Sequence, residues 1–182
     1  FSSPITEWVI NVINKSIILT TKPSGLFNGY SYTIEKTTGT YSKTLSGNGL
    51  TQTTTPDGMY KIYTVVKNNI PNVFIFNTAN NSTYDTGLVT LSEKCTYSVN
   101  MYYCAVPTSI PSGIYPDSWY QGAVSFSDDL WSINPKEQKL KFIEQLKTTS
   151  DGIDAINIQT NKDGKTLYFT DKKTNLLWAY DL

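Results

Sequence analysis

Residues 54–63 read Thr54-Thr55-Pro56-Asp57-Gly58-Met59-Tyr60-Lys61-Ile62-Tyr63. A polar turn is followed here by alternating aromatic and β-branched residues. Asp-Gly at such a junction is a strong hairpin signal, because a type I′ turn needs positive φ and glycine supplies it at least cost. Residues 160–169, Thr160-Asn161-Lys162-Asp163-Gly164-Lys165-Thr166-Leu167-Tyr168-Phe169, repeat the arrangement.

Working outward from these turns, period-2 alternation recurs along the chain and period 3.6 is scarce. Buried-strand candidates follow four turns: Ser16–Lys22 after Asn14-Lys15, Tyr60–Lys67 after Pro56-Asp57-Gly58, Met101–Val106 after Val99-Asn100, and Thr166–Asp171 after Asp163-Gly164. A strand precedes each turn, at Trp8–Ile13, Leu50–Thr54, Cys95–Ser98 and Ala155–Gln159. A third strand comes next in each unit, at Tyr30–Ile34, Asn72–Phe76, Leu130–Ile133 and Leu176–Tyr180. A fourth, more polar strand closes three of them, at Tyr41–Leu45, Thr83–Val89 and Leu140–Leu146. The Pro135–Lys147 stretch is also compatible with a helix, but its place in the repeat predicts a turn and an outer strand. The units run about 5–48, 49–90, 91–148 and 153–182, with an insertion at 107–128. The first two spacings, about 40 to 45 residues, are those of four-stranded propeller blades. The expected fold is therefore all-β, with antiparallel β-propeller-type blades in about four units, the last without its outer strand. Open blade edges invite pairing with other strands. The expectation is the C-terminal part of a larger propeller, with remaining blades upstream or on another chain. A complete antiparallel sandwich or meander is the alternative.

The two Asp-Gly segments resemble the WD40-like (PD40) repeats of TolB-type β-propellers, which run strand, Pro-Asp-Gly turn, strand and then a Leu-Trp or Ile-Tyr strand. Leu177-Trp178-Ala179-Tyr180-Asp181-Leu182 and Leu130-Trp131-Ser132-Ile133 fit the last position, while Ser98-Val99-Asn100 departs from the turn. The resemblance implies a binding platform; some such propellers sit beside hydrolase domains as gates.

The 182 residues carry 15 Lys+Arg against 15 Asp+Glu, for no net charge, and contain no His. That balance argues against nucleic acid as a partner. Lack of His removes the commonest general base and metal ligand, so neither cofactor nor metal site is expected. No apolar run reaches the length of a membrane span, and Phe1-Ser2-Ser3-Pro4 has no signal-peptide pattern.

Cys95 and Cys104 flank Val99-Asn100. A two-residue hairpin there opposes them at a non-hydrogen-bonded pair, with Cα atoms about 4.5 Å apart, within disulfide reach. A cross-strand disulfide implies an oxidising, extracellular or cell-envelope location; two reduced buried thiols are the alternative. The insertion is rich in proline, glycine and aromatics, and long loops on rigid scaffolds often carry function. Tyr115, Asp117, Trp119, Tyr120 and Gln121 are its candidate binding residues; the competing expectation is that its aromatics fold back to plug the propeller mouth or flank. Asp117, Asp128 and Asp129 would serve a carboxylate-based glycoside hydrolase if two lay about 5–10 Å apart in a cleft, but Asp128-Asp129 also suits turn chemistry. The expected function is a non-enzymatic extracytoplasmic interaction or scaffold domain for a protein or surface glycan, with no catalytic residues. A structural subunit of a cell-surface assembly and the glycoside hydrolase are the alternatives.

Overall fold

The computed structural model describes residues 5–148 and 151–182; the Phe1–Pro4 reading lies outside them. Among the described residues, fifteen strands form four antiparallel meanders. Sheet one holds β1 (Trp8–Val12), β2 (Ser16–Thr21), β3 (Asn28–Glu35) and β4 (Tyr41–Asn48). Sheet two holds β5 (Thr51–Thr54), β6 (Tyr60–Lys67), β7 (Ile70–Asn77) and β8 (Ser82–Val89). Sheet three holds β9 (Cys95–Ser98), β10 (Met101–Pro107), β11 (Asp128–Asn134) and β12 (Lys139–Gln145). Sheet four holds β13 (Ala155–Thr160), β14 (Thr166–Asp171) and β15 (Leu177–Asp181). In every sheet the spatial order is the chain order. These are propeller-type blades, and the sheets do not close on one another. The 139–145 segment is a strand: Lys139–Gln145 pairs with β11, because ladder bonds outweigh a weak helical preference.

The paired Asp-Gly turns share hydrogen bonds as well as sequence. The Asp57 carboxylate accepts from the Thr55 hydroxyl and the Met59 N–H, and the Thr55 hydroxyl accepts from the Tyr60 N–H. In sheet four the Asp163 carboxylate accepts from the Lys165 N–H, and the Asn161 side chain accepts from the Lys165 and Thr166 N–H groups. One detail differs from the expected type I′ turn. Only Gly58 and Gly164 take positive φ, at 77° and 70°, and Asp57 and Asp163 do not. The side-chain bonds make a longer loop in which the glycine alone needs the left-handed region. Two residues at positive φ do occur at Asn68-Asn69 and Val99-Asn100.

Apolar packing lies between sheets. Ile62, Val73 and Ile75 of sheet two meet Tyr102, Cys104 and Ile133 of sheet three. Ala105 and Leu130 of sheet three meet Ile158, Leu167 and Phe169 of sheet four. The junction of sheets one and two is more polar. There the Gln52 amide donates to the hydroxyls of Thr20 and Ser31, each at 2.6 Å. Gly47 permits a close approach there: a Cβ on it would stand 2.8 Å from both methyls of Val65.

Chain direction alternates in each meander, so every sheet has two ends. The β1–β2, β5–β6, β9–β10 and β13–β14 turns share one, the hairpin end. The second-to-third-strand turns, the crossovers between sheets and the insertion share the other.

Candidate functional site

The insertion leaves sheet three after Pro107 and returns at Asp128; the Thr108 N–H donates to the Ser127 carbonyl across its base at 2.8 Å. Between them lies a four-residue helix, α1 (Asp117–Tyr120). Three of the insertion's four aromatics turn inward. Tyr115, Trp119 and Phe126 are buried beside Val66 and Leu91. The Trp119 and Phe126 rings stack 6.0 Å apart at 13°, and the Tyr115 hydroxyl donates to the Pro111 carbonyl at 2.6 Å.

Beneath the insertion lies an ionic cluster with no solvent access. Lys94, at the end of the crossover into β9, extends Nζ to Asp154 Oδ1 at 2.6 Å, Asp128 Oδ2 at 2.8 Å and the Ala155 carbonyl at 2.8 Å. All three side chains are 0% exposed. Asp154 Oδ2 also accepts from Trp119 Nε1 at 2.9 Å and the Phe126 N–H at 3.0 Å. Asp128 Oδ2 accepts from the Ala155 N–H at 2.7 Å. The cluster therefore ties crossover, insertion, sheet three and sheet four at one point. Two further ties hold the insertion: Asp117 Oδ2 accepts from the Gly25 N–H at 2.6 Å, and the Lys172 ammonium donates to the Trp119 carbonyl while standing 4.5 Å over its ring.

Of the candidate binding residues, Tyr115 and Trp119 are buried and Asp117 is bonded to sheet one, while Tyr120 and Gln121 face solvent. The Tyr120 hydroxyl donates to the Glu93 carboxylate at 2.7 Å. Asp128 is not a turn residue: burial against Lys94 takes it into the cluster, while Asp129 stays half-buried beside it. Asp117 has its own partner, so the three acids occupy separate settings. Lys94 and Asp154 had no distinguishing signal in the sequence, since each looks like an ordinary charged residue beside a strand.

Burial pushes the Asp128 carboxyl up from 3.8 to about 6; Lys94 pulls the other way, and Asp154 adds to the rise. The folded state then binds a proton that the unfolded chain releases between these values. Stability from this group is present at low pH and lost as pH rises through about 6. Urea unfolding across pH 4 to 7 is expected to show up to about 3 kcal/mol of acid-side gain in the wild type that Asp128→Asn lacks. Equal slopes for the two proteins would refute this assignment.

Cys95 and Cys104, opposed in the β9–β10 ladder with Cα atoms 4.1 Å apart, are joined by a disulfide. Among the described residues no cluster of three or more acidic or Cys side chains is placed to hold a metal, and no helix is long and apolar enough to cross a membrane.

The insertion end also carries exposed apolar residues from all four sheets. Leu26 and Phe27 lie in the β2–β3 turn, Ile70 begins β7, Ile114 and Tyr120 belong to the insertion, and Leu176 and Leu177 lie at the β14–β15 turn. A groove of about 450 Å³ runs between the β6–β7 turn and the first half of the insertion, lined by Ile70, Val89, Ile110 and Pro111 among others.

The four sheets have the fold of part of a β-propeller. Solved structures similar to it include hydrazine synthase of Kuenenia stuttgartiensis, at TM-score 0.64 and 13% identity over 94% of this chain and 51% of that one. The β-propeller domain of the trilobed protease from Pyrococcus furiosus matches at TM-score 0.61 and 14% identity, over 95% and 54%. TolB from Acinetobacter baumannii matches at 0.56 and 13%, over 92% and 41%. The chain thus spans about half the length of the structures it matches. At these identities the likeness shows the fold alone. No protein-family model and no curated protein matches the chain.

Proposed function

We propose that this chain is a non-enzymatic interaction domain of an extracytoplasmic protein, and that it docks a protein partner on its insertion end. One observation carries this: large apolar side chains from all four sheets are exposed at that end, among them Leu26 at 62%, Phe27 at 72% and Leu177 at 74%. Exposed apolar surface of this kind is what protein interfaces bury. The insertion beside it is held by a buried ion cluster, so the surface is preorganised and loses little freedom on binding. Exposed aliphatic carbon suits a protein better than a glycan, which asks for aromatic planes with polar groups around them. The disulfide supports an oxidising compartment.

Photo-crosslinking residues placed at Phe27 and Tyr120, in the protein expressed in its native source, are expected to trap one discrete partner. The same probe at Met59 and Val99, on the hairpin end, is expected to trap none. A Leu26→Ser, Phe27→Ser double variant is expected to weaken the trapped complex by about tenfold or more. Equal trapping at both ends, or an unaffected double variant, would overturn the assignment; a trapped glycan would replace the protein partner.

A further inference from the structure

At the hairpin end, between sheets one and two, lies a second cavity of about 450 Å³, within the size range of small-molecule sites, about 300–1,000 Å³. Lys61 of β6 is on its wall. Its side chain is buried, at 2% exposure, and its Nζ donates to the hydroxyls of Thr33 at 3.0 Å and Thr44 at 3.1 Å. Among the described residues it has no carboxylate partner. The contrast with Lys94 is direct. Both ammonium groups are buried, yet one has two carboxylates and the other two neutral hydroxyls.

A buried cation without counter-charge is costly and attracts an anion. Burial lowers the Lys61 ammonium from 10.5 to about 8, which leaves it charged at neutral pH. Around it the lining supplies the Lys15 ammonium against Glu35 and Asp57, while Lys43, also on the lining, turns its ammonium over the Tyr30 ring at 4.2 Å. With Lys61 that makes two cations against two carboxylates, so one negative charge placed on the buried Lys61 suits the site and a dianion does not. The hydroxyls of Thr33, Ser42 and Thr44 offer hydrogen bonds, and Ile18 and Phe76 give an apolar wall. Glu35, whose Oε1 accepts from the Ser16 hydroxyl at 3.0 Å, is placed to accept from a ligand hydroxyl as well.

We propose that this cavity binds a small polyhydroxylated monocarboxylate, of the sugar-acid class, with its carboxylate on Lys61 and its hydroxyls on the Ser, Thr and Glu35 groups. The site is separate from the protein-docking end and does not depend on it.

The test is calorimetric titration of the full chain with D-glucuronate, with glucose, acetate and inorganic phosphate as comparisons. Glucuronate is expected to bind at least about tenfold more tightly than each of the three, because only it offers both the carboxylate and the ring hydroxyls. Lys61→Met is expected to lose about tenfold or more of that affinity. Thr33→Val, which keeps the cation and removes one hydroxyl, is expected to weaken binding less, and serves if the first variant does not fold. No glucuronate binding at millimolar concentration, equal binding of acetate or phosphate, or unchanged affinity in both variants would overturn the proposal.

Discussion

Lys94→Met is expected to lower the unfolding free energy by about 3–5 kcal/mol at neutral pH, the cost of taking one partner from a buried ion pair. Methionine fills much of the volume, so the loss is electrostatic rather than a cavity. Asp128 and Asp154 would stay buried with no cation between them, and two such carboxylates cannot both stay ionised cheaply. The deficit is therefore expected to shrink as pH falls, since a proton on either acid relieves the repulsion. A Lys94→Met, Asp128→Asn double variant is expected to recover part of the loss, because one uncompensated charge is gone. Domains of this size are stable by only about 5–15 kcal/mol, so the single variant sits close to unfolding. Urea denaturation at two pH values reads both effects, and Trp119 emission reports whether the insertion leaves with the cluster, since its indole N–H bonds to Asp154. A loss under about 1 kcal/mol would show that the cluster does not hold the insertion.

Lys61→Met is expected to do the reverse and stabilise the chain, by up to about 3 kcal/mol at neutral pH. The folded ammonium is held down at about 8 by burial, against 10.5 for the ordinary group. Lowered values mean that folding opposes protonation. The penalty is complete below about 8 and fades as pH rises toward about 10.5, where the unfolded chain also releases its proton. The stability gap between variant and wild type should therefore be widest near neutral pH and close at the alkaline end. Methionine keeps the buried stem and removes the unpaired charge, although Thr33 and Thr44 lose a donor. A variant less stable than wild type at neutral pH would show that the two hydroxyls compensate the cation. Gain of stability with loss of anion binding is the signature of a residue retained for a ligand rather than for the fold.

The strands were legible because their signals are local. Alternation over Tyr60–Lys67 and the Asp57-Gly58 turn together place β5 and β6, and the spacing of such hairpins places the sheets. Cys95 and Cys104 were legible for the same reason, since a two-residue turn sets the register of the ladder beside it. The turn at Asp57 was legible only in part: its Thr55 and Met59 bonds, which select a longer loop, depend on side chains that compete with the backbone. The aromatics of the insertion allowed both an outward and an inward reading. Which rings face in depended on what the other sheets offered, namely Gly25 for Asp117 and Asp154 for Trp119.

From the sequence alone came the all-β class, the blade-like repeat, the position of the insertion and the opposed cysteines. Each rests on contacts within about a hairpin's length, where residue pattern and turn chemistry act directly. The two buried lysines were decided only in the tertiary structure. Lys94 meets a partner sixty residues away, while Lys61 meets hydroxyls from another sheet and no carboxylate. Fifteen Lys+Arg residues read alike in the chain. They become an anchor, an empty-handed cation or a solvated surface charge only when packing removes water and supplies or withholds the opposite charge.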